Sequence, residues 1–494
     1  MSARLSRGLV WFRRDLRVHD NAALHHALRD CDQVHCVFVF DTDILDGLPK
    51  LDRRVRFIRD CVLELDAALR ALSPEPTAGL IVRHARAELE IPRLAALLEV
   101  QAVYAGQDDE PAALQRDAQV RTALARDRRE LHLFKDTTVF ARSDVLTQAG
   151  KPYTVFTPYK KAWLRALDPA MLEPWPATGA DLALAPRTGD LAATAPSITS
   201  LGHDDGPESA MPIAPGSQGG RALWTDFQGR IDQYDEARNY PGIRGPSYLG
   251  VHLRFGTLSV RELARQAHSR AQAGSIGAAT WLSELIWREF YQQLLFHYPH
   301  VVERSFKPAY DSIAWEVGDS AERRWQAWRS GRTGYPLVDA AIAQITQTGY
   351  MHNRLRMVVA SFLVKHLGID WRRGEAWFAV MLNDFELASN NGGWQWASSS
   401  GCDAQPWFRI FNPITQSRKF DPEGRFIRRY LPELGRLNNQ DIHTPWLATA
   451  GNLETAAVVM GDTYPFPIVE HAAAREQTLA RYAVVKSSGS GPAA

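Results

Sequence analysis

Leu9-Val10-Trp11-Phe12-Arg13-Arg14-Asp15-Leu16-Arg17 is a short apolar run that breaks off abruptly into charge. An unbroken apolar run bounded by polar residues reads as a strand buried on both faces, the kind found in parallel sheets. A strand that opens a standard dinucleotide-binding unit is followed by Gly-x-Gly-x-x-Gly. Here Arg13-Arg14-Asp15-Leu16-Arg17 stands in that place, so the fingerprint is absent. Similar runs return at Val34–Phe40, Leu80–Val82, Ala102–Tyr104 and Leu131–Phe134, with amphipathic segments such as Val55–Leu72 and Ile91–Leu98 between them. This alternation predicts an α/β N-terminal domain, a Rossmann-like parallel sheet covered by helices, over residues 1–171.

Residues 172–222 change character. Pro174, Pro176, Pro186, Pro196, Pro207, Pro212 and Pro215 lie among Ala, Gly, Ser and Thr, which reads as an interdomain linker over the surface. From 223 to 485 the pattern is helical with few strand runs, a larger all-α domain, and residues 486–494 read as a flexible tail. No apolar stretch is long enough to span a bilayer, and the first residues lack the apolar segment of a signal peptide, so no membrane association is expected. Cys31, Cys36, Cys61 and Cys402 have no metal spacing and read as thiols of a reduced, cytoplasmic protein. No metal site is expected.

A net charge of +1 asks for no polyanionic partner. Locally, Arg409, Arg418, Lys419, Arg425, Arg428 and Arg429 are interleaved with Trp407, Phe408, Phe411, Phe420, Phe426 and Tyr430. Most such runs are solvated surface, but basic and aromatic side chains mixed in this way raise the odds of a nucleic-acid face.

Four constellations carry chemistry. In Trp281–Tyr291, Glu284 and Arg288 are four apart on a helix with Trp287 beside them; a carboxylate next to an indole suits gripping a base. Gly349–Met357 opens another helix, with Asn353 and Met357 on one face. His352 there is either a proton carrier or a histidine bonded to backbone at a helix cap. Asp384 and Glu386 precede Asn390-Asn391-Gly392-Gly393-Trp394-Gln395-Trp396. This segment is either core packing near a helix break or the lining for a large flat ligand. A phosphate-binding loop, a zinc motif and a nucleophile elbow are all missing. Polar grips and aromatic walls without hydrolytic machinery point to chemistry carried by a bound chromophore.

At these residues the chain resembles the DNA photolyase/cryptochrome family, and in particular class I cyclobutane pyrimidine dimer photolyases. The resemblance covers nearly the whole chain. It is strongest in Trp281–Tyr291, Thr333–Asp339, Gly349–Met357, Asn390–Trp396 and Phe408–Pro413, and the opening Val10–Arg17 shares it. It implies an α/β antenna domain, a linker and an all-α C-terminal domain that binds FAD. The implied activity is light-driven repair of cyclobutane dimers by electron transfer from photoexcited reduced FAD to a flipped-out lesion. The implied partner is double- or single-stranded DNA carrying pyrimidine dimers, met by a monomer.

The resemblance also implies roles. Tyr234, Ser247, Leu249, Trp281, Arg288, Asn353, Arg356, Asp384, Glu386 and Asn390 are similar to cofactor-binding residues, with Asn390 near flavin N5 and Asp384 paired with Arg356. Glu284 and Asn353 resemble groups that hydrogen-bond the dimer, Trp287 and Trp396 the walls of its pocket, with Met357 beside them. Trp394, Trp371 and Trp315 resemble a chain that brings electrons to the flavin. Arg354 and Arg409 resemble phosphate clamps. The chain departs from close relatives at Gly245-Pro246-Ser247-Tyr248-Leu249-Gly250, where two hydroxyls and an arginine are lost from the FAD phosphate loop, and at Glu386, where Asp is common. Gln107–Ala112 lacks the Asn-Glu of folate-binding members, and its Glu-Pro, with Phe40–Leu45, is more similar to deazaflavin-binding members. The implied antenna is therefore 8-hydroxy-5-deazaflavin or methenyltetrahydrofolate. The alternatives are a (6-4) photolyase, against which Met357 stands, and a cryptochrome-type photoreceptor, whose usual mark is an extended regulatory tail.

Overall fold

The computed structural model describes residues 4–177, 184–187, 189–192 and 194–487, the side chains of 486 and 487 excepted. Most of the expected tail, from 488, lies outside the described residues, as does part of the expected linker. The chain forms two compact units. The first takes the residues up to Tyr153, Thr157–Ile231 and Ser247–His297; the second takes Thr154–Phe156, Asp232–Pro246 and the chain from Tyr298 onward.

In the first unit β1 (Leu5–Phe12), α1 (Ala22–Asp30), β2 (Cys31–Asp41), α2 (Arg53–Leu72), β3 (Leu80–Ala85), α3 (Ala87–Leu97), β4 (Ala102–Gly106), α4 (Pro111–Arg126) and β5 (Glu130–Phe134) alternate. All five strands are parallel, in the order β3-β2-β1-β4-β5. β1 is central, and its two-residue period sorts its side chains to opposite faces. Val10 and Phe12 pack with Leu24, Phe38 and Val62, while Leu9 and Trp11 pack with Val37, Ile81, Ile91 and Val103. Covering both faces with helices explains why β1 reads as a continuous apolar run.

The proline-rich stretch is more structured than its composition suggests. Ala185 N donates to Val34 O at 2.9 Å, and the buried Arg187 guanidinium reaches Leu80 O at 2.5 Å and Asp66 at 3.2 Å. Helix α5 (Gly216–Gln228) starts inside that stretch. Gly216 is needed at its start: φ is +74°, and a Cβ there would collide with the Glu64 carboxylate.

Helices α6 (Val260–Gln272) and α7 (Ile276–His297) belong by contact to the first unit, although their helical period groups them with the later helices. Buried charge ties α6 to the sheet. Arg17 meets Asp136 at 2.6 Å, Arg261 meets Asp20 at 2.8 Å and Asp136 at 3.0 Å, and Ser259 Oγ donates to Asp20.

The second unit is helical: α8 (Asp319–Arg329), α9 (Pro336–Thr348), α10 (Asn353–Ser361), a π turn (Phe362–His366), α11 (Trp371–Met381), α12 (Leu387–Ser398), α13 (Pro413–Phe420), α14 (Arg425–Tyr430) and α15 (His471–Tyr482). Its core gathers Trp328, Trp371, Trp394, Leu355, Val359 and Phe378. The motif Thr333–Asp339 is structural. Asp339 is buried and accepts from Thr333 N (2.8 Å), Thr333 Oγ1 (2.6 Å), Gly334 N (3.0 Å) and Tyr464 OH (2.6 Å). Asn412 and Pro413 are the N-cap and first residue of α13, with Asn412 Oδ1 accepting from Ile414 N at 2.9 Å. Among the described residues no helix is long and apolar enough to cross a membrane.

Candidate functional site

Asn390–Trp396 lies wholly inside α12, with no helix break. Asn390 and Trp394, one turn apart, are both buried. Asn390 Nδ2 donates to Glu375 O at 3.1 Å and to Glu375 Oε1 at 2.8 Å, joining α12 to α11. Asn391 and Gln395 hold a different side of the helix: both donate to Val301 O at 2.9 Å, and Gln395 Nε2 also donates to Arg304 O at 3.1 Å. Gly393 is the open position, where an added Cβ would meet no protein atom within 4 Å. Trp396 is half-buried, 6.4 Å from the Phe411 ring.

Trp394 packs edge-on to Phe378 at 5.0 Å and touches Trp328 at 6.3 Å; its buried Nε1 has no hydrogen-bond partner. Trp328 in turn stacks on Trp325 at 5.4 Å and meets Trp377 at 5.1 Å. The three indoles singled out in the sequence share one core, with Trp371 fully buried, but no two of their rings touch: Trp315 packs on Tyr482 at 6.3 Å, and Trp371 carries Arg372 over its face. Nothing in the sequence pattern marked Trp328, because its contact with Trp394 spans distant segments. Gly374 makes room for Trp394, since a Cβ there would lie 2.1 Å from its ring. Gly374→Ala is expected to cost about 1–3 kcal/mol by overpacking, read by urea denaturation, although Ala is the better helix former.

At α10, Arg356 Nη2 grips both Asp384 oxygens, at 3.1 and 2.9 Å, and its Nε donates to Met351 O at 2.9 Å. Asn353 is exposed at the helix start, and Met357 is half-buried one turn on. Arg354 is bonded to Asn239 and lies 4.4 Å over Phe420. Arg409 is exposed in the loop before α13, beside the 59% exposed Phe408. Glu386 is the residue before α12; it accepts from Ser389 Oγ at 3.2 Å, and its carbonyl accepts from Asn390 N at 2.9 Å. Tyr234 carries Arg238 over its ring at 5.5 Å.

His352 is the N-cap of α10. Its Nδ1 accepts from Arg354 N at 3.2 Å at the start of α10. Burial, then the charges of Arg354 and Arg356, lower its pKa to about 3. The folded value lies below the unfolded one of 6.5, so the stability it confers is complete above pH 6.5 and is lost as pH falls towards 3. His352→Asn, which keeps a capping oxygen, is expected to flatten the loss of unfolding free energy on acidification by about 1.4 kcal/mol per pH unit in that window.

In the first unit, Glu284, Trp287 and Arg288 lie on α7. Trp287 stacks on Tyr291 at 5.5 Å, and the Arg288 guanidinium donates to Thr137 O. Trp281 is packed as core against Trp224 (5.0 Å) and Phe227 (5.4 Å). Ser247 Oγ accepts from Leu249 N at 3.5 Å, and Leu249 is buried. Glu289, next to Arg288, accepts from Val139 N (2.8 Å), Phe140 N (3.0 Å) and Trp163 Nε1 (2.6 Å), and burial raises its carboxyl to about 7. The sequence reading missed Glu289; a glutamate beside an arginine on a helix looks like surface. Among the described residues no group of three or more potential ligands could hold a metal ion.

Comparison with known proteins places these residues in a family. Residues 8–179 match the DNA photolyase model, and residues 281–484 match the FAD binding domain of DNA photolyase. The deoxyribodipyrimidine photo-lyase of Vibrio cholerae is 38% identical over 97% of this chain and 99% of its own. A bacterial class III photolyase from Agrobacterium tumefaciens superposes with a TM-score of 0.88 at 33% identity, covering 99% of both chains. A Synechocystis cryptochrome superposes with a TM-score of 0.85 at 28% identity, covering 97% of this chain and 100% of its own. With a five-stranded parallel α/β unit ahead of a helical FAD-binding region, and full-length relatives at this identity, the chain belongs to the DNA photolyase family.

Proposed function

We infer that the chain is a deoxyribodipyrimidine photo-lyase, repairing pyrimidine dimers in DNA with FAD and light. The observation that carries this is the full-length identity to an enzyme of that name together with the FAD-binding match over residues 281–484. Bound reduced FAD supplies the electron that splits the dimer, and the electron is returned afterwards. The residues of the second unit suit such a group. The Asn390 oxygen finds no donor among the described residues, the Arg356–Asp384 pair is only partly buried, and Gly393 leaves space for a flat ring. Tyr234, Ser247, Leu249, Trp281, Arg288, Asn353 and Glu386 complete the proposed cofactor contacts.

Glu284 and Asn353 are proposed to hydrogen-bond the flipped-out lesion, and Trp287, Trp396 and Met357 are each proposed to pack against it. Flipping costs a few kcal/mol, least for a damaged pair, which favours the lesion over intact DNA. Arg354 and Arg409 are proposed to hold phosphates. Arg409→Ala is expected to weaken binding of a dimer-containing oligonucleotide and to reduce the slope of log affinity against log salt by about 1. An unchanged slope would remove Arg409 from the DNA face.

A second, light-gathering chromophore of the 8-hydroxy-5-deazaflavin or methenyltetrahydrofolate kind is part of the proposal for the first unit. The crevice between β1 and β4, where the strand order reverses, is the usual ligand position in such sheets. Here it holds only about 10 Å³, closed by Arg13 on Asp117 and Arg14 on Asp108, and does not fit a chromophore as it stands.

The test is repair itself. The reduced holoprotein is given cyclobutane-dimer and (6-4) oligonucleotides under blue light. Restoration of the first alone supports the reading, restoration of the second alone makes the chain a (6-4) photolyase, and failure with both leaves the photoreceptor reading that the cryptochrome likeness keeps open.

A further inference from the structure

We propose that Lys365 is a positioning residue for DNA binding: from the interior of the second unit it holds the loop 399–409 so that the Arg409 guanidinium is presented to a phosphate. This deepens the proposed function and rests on its assigning Arg409 to a phosphate.

Lys365 lies in the π turn that follows α10 and is fully buried. Its main-chain oxygen accepts from Thr478 Oγ1 of α15, which anchors the base of the side chain. An ammonium has three donors and no acceptor. Lys365 Nζ gives one to Ser399 Oγ at 3.1 Å and one to the main-chain oxygen of Arg409 at 2.9 Å. Among the described residues it pairs with no carboxylate. The charge that acts on it is that of Arg409, of the same sign; burial, then that charge, lowers the ammonium to about 7. A buried cation without a counter-charge is costly, and an apolar side chain of the same volume would fill the space at less cost. What an apolar side chain cannot do is hold two oxygens.

Those two oxygens are the ends of one loop. Ser399 is the C-cap of α12, with φ +70°, where the helix stops and the chain turns away. The near side of the loop has further ties: Ser400 O accepts from Lys307 N at 3.0 Å, and Gln405 Nε2 donates to Ala397 O at 3.0 Å. Pro406, Phe408 and Arg409 are exposed, and Arg409 N closes a turn onto Pro406 O at 2.9 Å. On the far side Lys365 is the one group among the described residues that bonds Arg409 O. Without it the backbone at Arg409 loses its hydrogen bond to the interior.

Ordering a loop on binding lowers affinity, so a guanidinium whose backbone is already fixed meets a phosphate at smaller cost. The like charges of Lys365 and Arg409 repel, and a phosphate on Arg409 offsets that repulsion. The buried ammonium therefore favours the bound state without touching DNA.

The experiment measures dark binding of a dimer-containing oligonucleotide to the holoprotein by fluorescence anisotropy over a range of salt, with repair at saturating oligonucleotide as the second readout. Lys365→Met keeps the length of the side chain and removes the donors. The expected result is about tenfold weaker binding, the scale of one hydrogen bond from a charged donor. The slope of log affinity against log salt is expected to fall by about 1, as for one lost phosphate contact, with repair retained at saturation. Arg409→Ala keeps the main-chain oxygen and is the control for the underlying reading. In its background Lys365→Met is expected to weaken binding little further, because the two act through one contact. If Arg409→Ala weakens binding and Lys365→Met does not, the positioning role is overturned and the DNA face stands. If Arg409→Ala changes neither affinity nor slope, the phosphate reading itself fails. A loss in Lys365→Met that is as large without Arg409, or that leaves the salt slope unchanged, or that lowers repair at saturation equally, makes Lys365 a packing residue. Should Lys365→Met lose FAD, Lys365→Gln keeps a donor and is expected to give a smaller loss in the same direction; unchanged affinity there overturns the proposal equally.

Discussion

Trp394→Phe is expected to slow light-driven reduction of the oxidised holoprotein by roughly tenfold or more, each tenfold being about 1.4 kcal/mol on the barrier. Repair by protein reduced beforehand with dithionite is expected to change little. The reasoning starts from the ring. Indole gives up an electron more readily than benzene, and Trp394 is a fully buried indole within one core that also holds Trp371 and Trp328. Phenylalanine keeps the aromatic packing against Phe378 and Trp328 while removing the donor. The unpartnered Nε1 of Trp394 makes this a clean exchange, since no protein hydrogen bond is lost with it. Absorbance at the oxidised flavin band under steady blue light gives the first rate, and dimer repair in the dark-reduced sample gives the second. Equal loss of both would make Trp394 a packing residue. Trp328→Phe and Trp371→Phe, measured the same way, distinguish the indole in ring contact from the one proposed by resemblance.

Asp136→Asn is expected to destabilise the first unit by about 3–5 kcal/mol, the cost of removing one partner from a buried ion pair. Asp136 is 2% exposed and serves two guanidinium groups, Arg17 at 2.6 Å and Arg261 at 3.0 Å. Burial by itself would raise its carboxyl, but Arg17 and Arg261 outweigh that and hold it below the usual range. An amide in its place leaves two buried cations with Asp20 and the nearby Asp15. Denaturant unfolding of wild type and variant measures the difference. A loss below about 1 kcal/mol would mean that water reaches the cluster and screens it as it does a surface pair. The double variant Asp136→Asn with Arg17→Met is expected to recover part of the loss, because it removes one of the stranded charges.

The sheet was legible because its signal is local. Each of the five apolar runs falls inside a strand, and the helices between them were marked by period. The limits of the compact units were not legible in this way. Val260–Gln272 and Ile276–His297 have the same helical period as the later helices, and it is long-range contacts, the ion cluster of Arg261, Asp20 and Asp136 for the first and the bonds of Glu289 to Val139, Phe140 and Trp163 for the second, that show which core they join. The site divides similarly. Arg356 and Asp384 are 28 positions apart, and their pairing was available only through resemblance, not from spacing. Glu375 carried no signal at all, because its partner lies on the next helix. His352 shows the reverse case: a residue type suited to proton chemistry that burial and two arginines hold neutral.

The side-chain amides of Asn391 and Gln395 read main-chain carbonyls of the 301–306 segment, and Gln395 also receives Phe306 N at 2.8 Å. Such recognition ignores side-chain identity on that segment. Positions such as Val301, Arg304 and Phe306 can therefore drift without releasing α12, provided the backbone path is kept. Gln395 has less latitude than Asn391: the two share Val301 O, but Arg304 O and Phe306 N are bonded by Gln395 alone, and a shorter or apolar side chain there would strand both.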